Sequence, residues 1–444
     1  NAVAAMQLQQ IPDFADFYKK LTVHYREGIE FLYGLRRAGI KLGLKNIARL
    51  LSALGHPQKR FVSLHVAGTN GKGSVAASLA AILSAAGYRT GLYTSPHLQR
   101  FNERIRIDSE TVTDADVAEL IDEVRKRAPE SGATFFEFTT AMAFLCFEHR
   151  KVDFAVIETG MGGRLDATLL VSPLVSLITP ISMDHTYHLG STLAAIAAEK
   201  AFIIKKDKPV VLGAQPDEAL TVLLKRASST ASPVRLWARD FSVVSQGKTF
   251  SYRGRDMALD GLHPSLLGEH QHVNLAMSLC AAELIGKAGY PIAETAMRKG
   301  VAGVYWPGRL EWWPNPPRLL LDGAHNPAGA QVLAQYLKAE GIDGIHWVVG
   351  IKWDKAGSAI LAPILPRCKA LYCTVAAGEA FIAPHQLAEE ALKSGVPADV
   401  FPEPLAALRA ALAKRGPKEI ILVAGSLYLV GEIRDGLEKM EMMP

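Results

Sequence analysis

The sequence predicts an α/β protein of two domains, a parallel-sheet domain followed by a smaller, Rossmann-like α/β domain. Three observations predict it. Apolar β-rich segments alternate with helical ones along most of the chain, which implies a parallel sheet covered on both faces. A glycine-rich stretch, Gly68–Ser74, joins one such strand to an alanine-rich helix. A proline-dense stretch, Trp306–Pro317, interrupts the alternation, which then restarts. At 444 residues the chain is also too long for one ordinary core.

In order, Phe61–Ala67 reads as a strand, Ser74–Ala86 as a helix and Thr90–Thr94 as a strand. Helical spacing covers Asp114–Arg127 and Phe138–His149, followed by the buried strand Phe154–Glu158. Leu174–Ile178 and Pro209–Leu212 are strands, with helix Leu193–Lys205 between them. Around Phe241–Leu259 the pattern turns short and hairpin-like, and Glu269–Ala288 returns to helix. Beyond the prolines come strands Arg318–Leu321, His346–Val349, Leu371–Val375 and Glu419–Val423, with helices Gly329–Ala339, Pro384–Lys393 and Pro404–Lys414. The domain boundary is expected near Glu311, giving domains 1–311 and 312–444.

Composition narrows the function classes. Hydrophobic residues at 49% and charged residues at 21% fit a globular protein in water. The net charge is only +5 and no lysine–arginine run forms a nucleic-acid arm, so small anionic ligands are the expected partners. None of the four cysteines forms a C-x-x-C pair, a reducing-compartment profile that suggests the cytoplasm. No apolar run spans a bilayer, and Asn1–Gln10 lacks the features of a secretory signal.

Gly68-Thr69-Asn70-Gly71-Lys72-Gly73-Ser74 carries the chemistry most directly. In a strand–loop–helix turn of this kind, successive backbone N–H groups and the helix N-terminus cradle phosphate oxygens. Lys72 can reach the β- and γ-phosphates, and the Ser74 hydroxyl can ligate Mg²⁺. The strict G-x-x-x-x-G-K-[ST] spacing is not met, because Val66 stands where the first glycine belongs and Gly73 intrudes before Ser74. The first domain is therefore expected to be a P-loop ATPase domain. Glu158 ends an apolar strand ahead of a glycine-rich turn, where ligands bind in open α/β sheets. With Ser74 it makes a partial Mg²⁺ shell.

The chain resembles the folylpolyglutamate synthase and dihydrofolate synthase family, relatives of the muramyl peptide ligases. The resemblance rests on Gly68–Ser74 (GTNGKGS), Ser95–Leu98 with Phe101–Ile105, Glu158–Thr168 (ETGMGGRLDAT), Asp184-His185 with Leu189-Gly190, and Glu199–Ala201 with Ile203–Lys205. It continues through His270-Gln271 with Asn274, Pro307–Glu311, Asp322–Pro327 (DGAHNP) and Gly425-Ser426. These segments cover most of the chain in the family's order. The resemblance implies an ATP- and Mg²⁺-dependent ligase that activates a carboxylate as an acyl phosphate. The ligase then attaches L-glutamate to dihydropteroate, to reduced folates, or to both, and is expected to act as a monomer.

By resemblance, His185 ligates a second Mg²⁺. Lys200, which residues alone would make a solvated helix-face lysine, becomes a carbamylated metal ligand or an unmodified lysine on the phosphates. Arg309 and Asp322 correspond to ATP contacts, Asn274 to an adenine-side contact, and His325 and Ser426 to groups beside the incoming amino acid. Read from residues alone, Asp322 is equally a helix-turn carboxylate. Thr134, Phe136 and Asp166 correspond to the dihydropteroate site, although phenylalanines before an apolar helix are ordinarily core. Two departures stand out: Leu169 follows Thr168 where the family reads asparagine, and Ala356 ends a usual Asp-Lys-Asp run. A muramyl peptide ligase would need a further N-terminal domain, for which the chain ahead of Gly68 is short. A P-loop switch module would leave the second domain without a purpose, and the sequence has no Asn/Thr-Lys-x-Asp guanine-reading motif.

Overall fold

The computed structural model describes residues 12–36, 43–129, 131–314 and 318–441. Asn1–Gln10 and the Pro316-Pro317 pair lie outside the described residues. The first sheet is built from β1 (Val62–Ala67), β2 (Thr90–Tyr93), β3 (Ile105–Ile107), β4 (Glu110–Thr111), β5 (Phe154–Glu158), β6 (Pro173–Ile178), β7 (Val210–Leu212) and β8 (Val234–Leu236). Their spatial order is β4-β3-β2-β5-β1-β6-β7-β8. All neighbours are parallel except at the β4-β3-β2 edge.

Alternation along the strands explains why both faces are covered. Phe154 and Val156 of β5 join the core beneath helices Lys72–Ala85 and Glu269–Lys287. Ala155 and Ile157 join the opposite core with helix Phe135–His149. Behind the first face lies an antiparallel sheet of β9 (Ser242–Gln246), β10 (Thr249–Arg253) and β11 (Ala258–Leu262), matching the hairpin-like pattern.

The second sheet holds β12 (Glu311–Trp312), β13 (Leu319–Asp322), β14 (Ile345–Val349), β15 (Cys368–Cys373), β16 (Ala398–Val400) and β17 (Ile421–Ala424). Their order is β12-β13-β17-β14-β15-β16, and only the β12–β13 pair is antiparallel. The proline-dense stretch thus contains a short edge strand, and Leu310 already packs in the second core. Both parallel sheets agree with the expected α/β class.

Two helices depart from the expected bounds by three residues or more. Helix Phe135–His149 starts before Phe138 because Thr134 and Glu137 form a reciprocal capping box. The expected helix Leu193–Lys205 stops at Lys200 and passes into a 3₁₀ turn, Ala201–Ile203. The Ser176 hydroxyl donates to the Ile203 carbonyl at 2.7 Å and ties that turn to β6. Among the described residues no helix is long and apolar enough to cross a membrane.

Candidate active site

The loop after β1 closes under steric limits set by its neighbours. Gly68 has φ 144°, and a Cβ there would stand 1.8 Å from Thr179 Oγ1. Gly71 has φ 86°, and its Cβ would meet Asn274 Oδ1 at 2.6 Å. Only glycine satisfies both the torsion and the space at these points. Thr69 fixes the loop to the strand-end turn after β6: its hydroxyl donates to the Ser182 carbonyl and accepts the Ser182 N–H, both at 3.1 Å. Lys72 opens the following helix and folds back, donating to the Thr69 carbonyl at 3.0 Å. Ser74 lies buried in the first turn of that helix. Asn274 sits beneath the loop on helix Glu269–Lys287, donating to Gln271 Oε1 at 2.8 Å.

A cavity of about 590 Å³ opens over this loop, and its walls bring together Gly68–Ser74, Glu158, His185, Lys200, Asn274, Arg309, Asp322 and His325. Every residue expected at the nucleotide and metal sites therefore lines one space. Glu158 is 5% exposed and accepts the Ser95 N–H at 3.2 Å. Burial pushes its carboxyl up, against the opposing pull of Lys72, Arg309 and Arg104. An anionic carboxylate at this position gains from a bound cation. The cavity thus suits a triphosphate and a hard cation, with glycine backbone for one and buried oxygen for the other.

Lys200 is 4% exposed, contrary to the solvated position that its helix alone suggests. Burial, helped by the Lys72 charge, pulls its amine down to about 7. His185 takes φ 49° and ψ 37°, with its backbone N–H held by Asp184 Oδ1 at 2.8 Å. Burial lowers the His185 imidazole to about 4, although Asp184 opposes it. A non-glycine residue in the left-handed region marks a locally strained, over-determined position. Among the described residues no three His, Cys, Asp or Glu side chains converge as a metal cluster. The donor set around the cavity is instead mixed: hydroxyl, carboxylate, imidazole and amine.

The second domain closes the far wall. Asp322 ends β13, and its carboxylate accepts the Leu310 and Ala324 N–H groups, both at 2.9 Å. Burial lowers the pKa of the neighbouring Arg309 guanidinium, while Asp322 and Glu158 counteract that. His325 Nδ1–H donates to the Gly323 carbonyl at 2.8 Å. Burial brings the His325 ring down to about 4, so at neutral pH Nε2 carries a lone pair toward the cavity. Its distance to Asp184 Oδ2, 3.7 Å, is too long for a hydrogen bond.

A second cavity, about 730 Å³, adjoins the first and shares His185 and His325 with it. Thr134, Phe136, Asp166 and Ser426 line it. Their polar groups are largely engaged already. The Thr134 hydroxyl belongs to the capping box with Glu137. Asp166 caps a 3₁₀ turn, Ala167–Leu170, accepting the Met161 N–H at 2.8 Å and the Thr168 N–H at 2.9 Å. The Phe136 ring lies over Gly160. Ser426 precedes helix Leu427–Glu441, and its hydroxyl accepts the Tyr428 N–H at 3.2 Å.

Reading the sequence missed the contacts between domains. Asn70 and Asn326 exchange side-chain hydrogen bonds at 3.1 and 2.9 Å. Asn326 also donates to Asp184 Oδ2 at 3.1 Å, and Lys355 pairs with Asp184 Oδ1. Burial disfavours the Asp184 charge, but His185, Lys355 and His325 together hold its carboxyl below the usual carboxylate range. The one available signal was Asn326-Pro327, which reads as a helix cap followed by a first-turn proline and does cap helix Pro327–Ala339.

Residues 66–282 match the Mur ligase middle domain, and residues 308–427 match the Mur ligase glutamate ligase domain. The chain is 36% identical over 428 residues to the folylpolyglutamate synthase of Lacticaseibacillus casei, covering 94% of this chain and 99% of that one. The structure of E. coli FolC in complex with DHPP and ADP superposes with a TM-score of 0.86 at 29% identity, covering 93% of this chain and 98% of that one. The bifunctional folylpolyglutamate synthase/dihydrofolate synthase of Yersinia pestis, complexed with AMPPNP and Mn ion, gives a TM-score of 0.84 at 31% identity with the same coverage.

Proposed function

The chain belongs to the folylpolyglutamate synthase/dihydrofolate synthase family of Mur ligases, and on that premise we propose that it joins L-glutamate both to dihydropteroate and to glutamylated reduced folates, at the expense of ATP. The observation that carries this reading is the pair of adjoining cavities. One is walled by the glycine loop, Glu158 and Lys200, the other by Thr134, Phe136 and Ser426, and His185 and His325 stand on both. A carboxylate entering from the second cavity meets the γ-phosphate in the first.

In the first step a carboxylate oxygen of the folate substrate attacks the γ-phosphorus, the bond to the β-phosphate oxygen breaks, and ADP leaves. Lys72 and Arg309 offset the charge on the phosphates, with Gly68–Gly71 and Asn274 holding the nucleotide and Asp322 orienting Arg309. In the second step the glutamate amine attacks the acyl carbon and inorganic phosphate leaves. His325 Nε2 accepts an N–H of that amine, and Ser426 takes part in holding the amino acid. Thr134, Phe136 and Asp166 form the pterin wall, the first and last through the loops that they fix. Closure of the second domain over the first excludes water, which would hydrolyse the acyl phosphate.

Ser74, Glu158, His185 and Lys200 would hold two Mg²⁺ ions, which when bound neutralise the phosphates. An amine near 7 is substantially neutral at physiological pH and can add CO₂. The resulting carbamate at Lys200 would add anionic oxygens to the one carboxylate, Glu158, of that set. We take the enzyme to be a cytoplasmic monomer. Coupled ADP-release assays with glutamate, comparing dihydropteroate with tetrahydrofolate, test the function. Turnover of both is expected; no glutamate-dependent turnover with either would overturn the reading.

A further inference from the structure

At the outer rim of the second cavity the two domains meet through charges that the reaction scheme does not use. Arg36 ends the first described helix, Pro12–Arg36. Its Nη2 lies 3.0 Å from Oε1 of Glu379, and Lys352 Nζ lies 2.9 Å from Oε2 of the same residue. One carboxylate thus sits between a guanidinium and an ammonium. All three residues line the cavity and are partly open to it, with side-chain exposures of 36%, 19% and 26% for Arg36, Glu379 and Lys352.

The cations are held on aromatic rings. The Arg36 guanidinium lies 5.4 Å from the ring centroids of both Tyr33 and Phe135. Lys352 Nζ lies 5.4 Å from the Tyr428 ring centroid. Phe135 stands between Thr134 and Phe136 in the chain, and Arg36 Nη2 also lies 3.4 Å from the Tyr428 hydroxyl, so the Arg36 guanidinium bridges the Thr134–Phe136 wall and the wall that carries Ser426. A planar guanidinium pre-oriented by stacking is suited to take a carboxylate.

We propose that Arg36 and Lys352 form a seat for the α-carboxylate of a glutamyl group already attached to the folate, and that Glu379 occupies this seat until such a substrate displaces it. The proposal rests on the folate reading above. Dihydropteroate carries no glutamyl group and so has nothing to place there. A glutamylated folate does, and each added γ-linked residue brings another α-carboxylate of the same kind. The exchange keeps a carboxylate on both cations and turns the Glu379 carboxylate, which is already partly exposed, out to solvent. Glu379 would then set a threshold that favours substrates with a glutamyl carboxylate and excludes uncharged groups from the rim.

Calorimetric binding of pteroate and pteroylglutamate to the full chain, with a non-hydrolysable ATP analogue, tests this without relying on turnover. The readout is the ratio of the two dissociation constants. Arg36→Ala and Lys352→Ala are each expected to weaken pteroylglutamate about fivefold relative to pteroate, the scale of a partly exposed ion pair. Glu379→Gln removes the competing charge and is expected to shift the ratio the opposite way. An unchanged ratio in all three variants, or equal weakening of both ligands, would make the triad a domain clasp and overturn the seat. A raised KM for free glutamate in the dihydropteroate reaction would also overturn it, moving the cations to the incoming amino acid. If neither these ligands nor dihydropteroate and tetrahydrofolate bind the unmutated protein, the folate reading itself fails, and the seat falls with it.

Discussion

Replacing Lys200 with Met should make the protein more stable and less active at once. The amine is almost wholly enclosed, and burial brings it from 10.5 down to about 7. At ~1.4 kcal/mol per pH unit, that displacement corresponds to about 5 kcal/mol against enclosing the ammonium. The sign follows from proton counting. Between pH 7 and 10.5 the unfolded chain holds a proton that the folded one has lost, so stability of the parent rises with pH across this window. Below pH 7 both forms are charged and the full cost is present; above 10.5 both are neutral and it vanishes. Met keeps a similar length without the charge. In metal-free, CO₂-purged buffer, urea unfolding should show Lys200→Met more stable than the parent by a few kcal/mol at pH 6. The gap should shrink to about 1–2 kcal/mol at pH 9.5. With ATP and Mg²⁺, kcat should fall at least ~10²-fold. A variant no more stable at pH 6, or a gap that does not move with pH, would mean that the amine is not enclosed as described.

Lys72→Ala should lower kcat by at least ~10²-fold with an unchanged unfolding midpoint, and near-normal turnover would take the loop out of the mechanism. His325→Ala should raise KM for glutamate more than KM for ATP in steady-state kinetics; a selective ATP defect would contradict its place beside the amine. Asp166→Ala should impair dihydropteroate and tetrahydrofolate to a similar degree and cost about 1–3 kcal/mol in thermal unfolding, because its carboxylate holds the Met161 and Thr168 N–H groups. A loss confined to dihydropteroate would instead make Asp166 a direct pterin contact. EDTA should abolish turnover, and added Mg²⁺ or Mn²⁺ should restore it.

What was legible in the sequence is what strand order fixes. Gly68–Ser74 follows β1 and Glu158 ends the neighbouring β5, so register alone brings them to one end of the sheet. The surroundings of Lys200 were not legible. Its segment, AAIAAEKAFIIKK, is apolar on most sides, and only packing against the sheet decides which side is enclosed. Resemblance places Thr134 and Asp166 at the pterin site; they do line the second cavity, and the caps that they also form were not legible because threonine and aspartate serve pockets and caps alike. Lys355 and Asp184, 171 positions apart, and Asn70 and Asn326, 256 apart, leave no periodic trace that could pair them.

The Asn70–Asn326 exchange has a thermodynamic corollary. One amide sits inside the phosphate loop; the other caps the helix that carries the second domain's inner wall. Whatever stiffens the loop therefore biases how the second domain rests upon it, and whatever draws that domain inward biases the loop. Linkage makes such an influence reciprocal: if ATP raises the affinity for glutamate by some factor, glutamate raises the affinity for ATP by the same factor. A random order of addition would then look compulsory at low ligand concentrations, with the first arrival recruiting the second. Replacing Asn326 with alanine should uncouple the two affinities, and the interaction coefficient between the two ligands should fall toward one.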